Sequence, residues 1–194
     1  MQLQIHVNAN NMTKVIDSED RIQRAVELFM QGYGCCQSVV CAFADLYGLD
    51  EEMALRIAAG FGGGVGRMRM MCGTCSALVI LAGLERGQTK GEDREGKAAC
   101  YQLVRDLLET FKQRNGSIIC AELLKMSGVK AETSTSQPDE RNAEYYRVRP
   151  CARKVESAAR VFAEKTLSNL PPSHGLPNCS ATNGQLPLKG ENHE

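Results

Sequence analysis

From Asp17 onward the apolar residues of this chain recur at helical spacing, and the breaks between periodic stretches fall on glycine or on polar clusters. Ile22, Ala25, Val26, Phe29 and Met30 share one face of a first helix that Ser18 can cap and Gly32 stops. After Gly34, Cys35 and Cys36 open a second apolar segment, with Val39, Val40, Phe43, Leu46 and Tyr47 in helical rows as far as Gly48. Asp50 caps a third helix, whose expected buried face is Met53, Ala54, Ile57 and Ala58. A glycine-rich loop follows, and Cys72 starts a fourth helix to about Arg86 that is apolar nearly all round, as a central helix of a bundle would be.

A long helix is expected from roughly Glu92 to Arg114, with Cys100, Val104, Leu107 and Phe111 on one face, and Gly116 ends it. Cys120 opens a short helical stretch stopped by Gly128, and the polar segment from Val129 to Arg149 reads as a surface loop with some helix around Arg141 to Tyr146. Pro150 suits the first turn of a final helix carrying Cys151, Val155, Ala158 and Phe162. The prediction is an all-α fold: one helical-bundle domain over 17–168, preceded by an arm at 1–16 and followed by a disordered tail at 169–194. In the arm, Leu3, Ile5 and Val7 alternate as in a short strand or a frayed end.

Composition narrows the function classes. Twenty-three basic and twenty-three acidic residues cancel without a run of like charge, which argues against nucleic acid and against an anionic membrane surface as partners. The longest uninterrupted apolar run, Ala77 to Ala82, is far shorter than the roughly 20 residues of a membrane span. The N-terminus has neither a basic nor an apolar signal region, so a cytoplasmic location is expected. Nine cysteines in a chain this long and apolar point to thiol or metal chemistry rather than to a disulfide-stapled domain.

Cys35, Cys72, Cys120 and Cys151 each fall at or near the start of a predicted helix, where unpaired N–H groups and the helix dipole favour a thiolate. Four converging thiolates suit an iron–sulfur cluster or zinc. His6, His174 and His193 lie in the terminal arms, so a mixed cysteine and histidine site is disfavoured. The pair Cys72-Gly73-Thr74-Cys75 is the second focus, because Cys-x-x-Cys at a helix start is the arrangement of dithiol oxidoreductases, although the chain lacks a neighbouring βαβ pattern. Cys75 could equally be a small core residue, Cys36, Cys41 and Cys100 read as core, and Cys179 is incidental.

The loop Phe61-Gly62-Gly63-Gly64-Val65-Gly66-Arg67 fits neither a dinucleotide fingerprint nor a phosphate loop. It is either a tight connection or a cover, with Gly62, Gly63, Gly64 and Gly66 offering bare N–H groups and Arg67 and Arg69 positive charge to a cluster or anion. Met68, Met70 and Met71 are expected to fill core.

Together, Gly32-Tyr-Gly-Cys35-Cys-Gln-Ser-Val, the glycine loop, Cys72-Gly-Thr-Cys-Ser-Ala, Cys120-Ala-Glu-Leu-Leu and Cys151-Ala-Arg-Lys-Val resemble the C_GCAxxG_C_C family of redox-active proteins over about 20–165. The resemblance implies a helical domain whose family cysteines map onto Cys35, Cys72, Cys120 and Cys151. Two departures stand out: Thr74 and Ala77 replace the alanine and the last glycine of the Cys-Gly-Ala-x-x-Gly pattern, and Cys75 is extra. The leading expectation is an iron–sulfur electron-transfer protein with an unidentified redox partner protein. The alternatives are a Cys72/Cys75 thiol–disulfide oxidoreductase and a zinc-binding domain or metal sensor.

Overall fold

The computed structural model describes residues 9–167, with side chains from residue 18. The expected tail lies outside these residues, as do Cys179, the three histidines and residues 1–8 of the arm. The described residues form eight α-helices: α1 (Ala9–Met30), α2 (Cys35–Cys41), α3 (Glu51–Ala59), α4 (Gly73–Arg86), α5 (Arg94–Asn115), α6 (Cys120–Lys125), α7 (Ala143–Val148) and α8 (Cys151–Thr166). A 3-10 turn, Ala44–Tyr47, follows α2, and no strand occurs among the described residues beyond one isolated bridge.

The helix starts obey local chemistry. Asp50 and Asp93 each accept a hydrogen bond from the backbone N–H three residues on, and Gln37 reaches back to the Gly34 N–H at 2.9 Å. Gly48 and Gly116 end their helices in left-handed conformations, the role glycine fills without Cβ strain. The first helix begins at Ala9 rather than near Asp17, since no Gly or Pro interrupts the stretch between them. The second segment is not one helix: α2 stops at Cys41 and tightens into the 3-10 turn before Gly48.

The centre of the bundle is α4, buried continuously from Gly73 to Leu78 and again at Leu81 and Ala82. It packs on α2, α5 and α8, while α1 lies along α8. Ala158, Ala159 and Ala163 on α8 are small enough for close helix approach, and Phe43 meets Phe162 edge to face at 5.0 Å between centroids. Three apolar expectations are corrected. On α3 only Ala54 and Ala58 are buried, whereas Met53 and Ile57 are exposed, because a helix of nine residues against α2 covers only its narrow alanine stripe. Met30, at the last position of α1, is also half exposed. No described helix is long and apolar enough to cross a membrane.

This packing predicts that Phe162→Ala lowers unfolding free energy by about 3–5 kcal/mol, whereas Ile57→Ala changes it by about 0.5 kcal/mol or less. Urea denaturation of the two variants checks the contrast.

Candidate functional site

The glycine loop makes a left-handed turn. Gly63, Gly64, Val65, Gly66 and Arg67 all have φ between 54° and 75°, and Arg69 follows at 58°. Left-handed geometry costs an L-residue about 1–2 kcal/mol, so glycines at three positions make the turn possible while Val65, Arg67 and Arg69 are held there against preference. Beyond the turn the chain alternates. Arg67 and Arg69 point inward and are buried, while Met68 and Met70 are more than half exposed, which reverses the expectation that those two methionines fill core. Only Met71 of the trio packs against the core.

The same stretch brings two cysteines together. The Cys72 N–H donates to the Ile118 carbonyl at 2.8 Å, and the Cys120 N–H donates to the Met70 carbonyl at 2.7 Å, around the antiparallel bridge of Met71 with Ile119. Cys72 caps α4 and Cys120 opens α6, so residues 48 apart in sequence start their helices side by side. Glycine permits the close approach. A Cβ on Gly64 would lie 2.7 Å from the Cys120 Cβ, and one on Gly73 would lie 3.0 Å from the Phe61 carbonyl and 3.3 Å from the Cys35 Cβ.

Cys35, Cys72, Cys120 and Cys151, the first or capping residues of α2, α4, α6 and α8, all line one cavity of about 570 Å³. Gly62, Gly63, Gly64, Gly66 and Arg67 form part of its wall. Cys36 and Cys41 are buried in the core, and the Cys100 thiol faces the Ala82 carbonyl, away from the cavity. Cys75 is fully buried on α4.

The far wall is the segment expected to be a surface loop. Asp139 accepts ion pairs from Arg67 at 2.9 Å and Arg149 at 2.8 Å, with Arg69 at 3.8 Å. Arg67 and Arg69 also donate to the carbonyls of Thr135 and Glu132, so both arginines tie this strap to the glycine turn. Arg141 donates to the Tyr33 carbonyl, and its guanidinium lies 4.5 Å above both the Phe29 and the Tyr145 rings. Arg141, Tyr145, Arg149 and Asp139 were not among the expected site residues. Asp139 and Arg141 precede α7 and Arg149 follows its last residue, so no periodic pattern along one helix marks this group in the sequence.

Thus four arginines and one aspartate border a cavity that holds four cysteines. Arg69 Nη2 and Arg141 Nη1 are buried there without a hydrogen-bond partner among the described residues. Buried guanidinium donors without a hydrogen bond, one of them 3.8 Å from Asp139, favour an anionic acceptor nearby.

That constellation coincides with a family. Residues 33–165 match the family model described as "Putative redox-active protein (C_GCAxxG_C_C)". The chain belongs to this family. No curated protein and no solved structure matches it.

The thiols are unlike one another. Hydrogen bonding from Cys75 holds Cys72 at about 6 against its burial, aided by the Thr74 hydroxyl 3.1 Å away. The same contact, with burial, pushes Cys75 far up. A hydrogen bond between Cys35 and Cys151 raises the first well above the ordinary thiol value and lowers the second. Burial and the neighbouring Cys72 push Cys120 up to about 11, with the Arg69 charge opposing. In donor type and placement around one cavity the four residues fit a thiolate-bound cofactor, and the orphaned guanidinium nitrogens fit its negative charge. Among the described residues, however, no three Cys, His, Asp or Glu side chains are grouped to hold a single metal ion as they stand.

Asp139 governs the strap. Burial pushes its pKa up, but the Arg67 hydrogen bond and the charges of Arg149, Arg67 and Arg69 outweigh this and hold the carboxyl below its ordinary 3.8. A lowered folded-state pKa contributes stability that is complete above the unfolded value and is lost as pH falls through the folded one. Protease cutting within 129–142 should therefore stay slow above about pH 4 and accelerate in stronger acid. Asp139→Asn should give the fast pattern at neutral pH and cost about 1–3 kcal/mol, allowing for the solvent at its 36% exposed side chain.

Proposed function

We propose that Cys35, Cys72, Cys120 and Cys151 hold an iron–sulfur cluster and that the protein transfers electrons. The observation that carries this reading is the shared cavity, where four cysteines from four helix starts face buried arginines that outnumber the carboxylates. A bound cluster would supply a one-electron couple whose potential depends on charge, hydrogen bonds to sulfur and exposure.

The chain's own residues account for the rest. Arg69 lies against Cys120 and favours its thiolate. Arg141 and Arg149 do the same for Cys151, opposing its burial. Gly64 and Gly73 let the main chain come close to Cys120 and Cys35, and the strap pinned at Asp139 limits water on the far wall. Cys35 and Cys151 are hydrogen-bonded to each other in the metal-free protein, and both would be thiolates if they held a cluster. A single zinc ion asks for donors within about 2.3 Å of one point, a tighter requirement that no grouping among the described residues meets.

A second reading rests on the contact of Cys72 with Cys75 and Thr74. As these two thiols join into a disulfide they would pass two electrons and two protons to a partner's disulfide, leaving it as two thiols. Cys75 separates the readings, being buried in α4 and absent from the cavity wall.

Anaerobic reconstitution with iron and sulfide should give cluster absorption and, on reduction, an electron paramagnetic resonance signal. Both should vanish in Cys72→Ser and Cys120→Ser and persist in Cys75→Ser. A colourless, iron-free product would defeat the cluster reading, and a free-thiol count unchanged between oxidised and reduced samples would defeat the dithiol reading.

A further inference from the structure

The first turn of α8 is a wall shared by two concavities. Cys151 lines the cysteine cavity, while Pro150, Arg153 and Lys154 line a separate groove of about 540 Å³. Residues adjacent in sequence thus face the two spaces, and Lys154 is close enough to Cys72 and Cys151 to feel their charge.

The groove is basic at its edges, and its lining mixes Leu123 and Met126 with the polar Asn115, Ser127, Glu156 and Ser157. Arg114 and Arg160 lie on its rim, the first paired with Glu164 and the second with Glu19 and Glu156. Arg153 is exposed, and neither it nor Lys154 has an ion-pair partner among the described residues. Of its apolar lining residues Leu123 is buried and Met126 is 64% exposed, a flexible side chain suited to a protein surface. Two cations without carboxylate partners among the described residues, beside an exposed methionine, suit an electrostatically steered protein interface.

We propose that this groove docks the acidic face of a small electron-carrying protein. The charge of Arg153 and Lys154 favours an acidic partner, the exposed Met126 favours a protein over a free anion, and the shared α8 turn sets the docked carrier one helical turn from Cys151. The functional sense of the site rests on the redox reading given above, but docking can be measured without a cofactor.

The test titrates the full chain, both metal-free and reconstituted, with a small acidic ferredoxin, and with a basic cytochrome c as control. The expected result is saturable binding of the ferredoxin alone, in both forms, weakening at least about tenfold from low to high salt. Arg153→Glu should weaken it by a further factor of about ten. Lys90→Glu, the same charge change at an exposed site in the α4–α5 connection, should leave it within about twofold. No saturable binding, binding indifferent to salt, or equal effects of the two variants would overturn the proposal. Docking without electron exchange in the reconstituted protein would support the groove and count against the redox reading instead.

Discussion

The constraint on which the site depends is that buried arginines must find negative charge. Arg67, Arg69 and Arg149 share one carboxylate, Asp139, whose contact with Arg69 is too long for a hydrogen bond, and a guanidinium nitrogen of Arg141 likewise has no hydrogen-bond partner among the described residues. Sequestering so many cations is unfavourable unless something anionic completes them. The neighbouring groups able to become anionic are thiols. Cys72 and Cys151 are lowered while Cys35 and Cys120 are raised, so the first two are the thiols that set negative charge beside the arginines and the other two hold their protons more tightly.

The left-handed glycine turn serves that constraint. An ordinary turn between α3 and α4 would not need Val65, Arg67 and Arg69 at positive φ. Here the strain turns both arginines inward and both methionines outward, and the pairing around Met71 and Ile119 then fixes Cys72 beside Cys120. The cost of the turn is distributed over hydrogen bonds from Gly66 to Met70 back to residues 60 through 65, and over the ties from Arg67 and Arg69 to the strap.

Helices, caps and the four cysteines were legible in the sequence because each depends on local signals: Asp50 as a cap, Gly116 as a stop, and Cys35, Cys72, Cys120 and Cys151 at helix starts. What escaped was what depends on pairing at a distance. The strap from 129 to 149 is polar and looks like a surface loop, and only its contacts with Arg67 and Arg69, more than 60 residues away, make it a wall. Met53, Ile57, Met68 and Met70 misled for the opposite reason, since hydrophobicity alone does not say which face a neighbour will cover. Cys75 marks the limit of local reading: its spacing from Cys72 suggested a dithiol, and the sulfur contact with Cys72 is present while the cavity wall excludes it.

The central claim is that the cavity cysteines are ligands, and metal content tests it most directly. Protein purified without oxygen and assayed chemically should contain iron and acid-labile sulfide in equal amounts, in a fixed ratio to the chain. Protein lacking both, yet gaining one reversible disulfide on oxidation, would contradict the account.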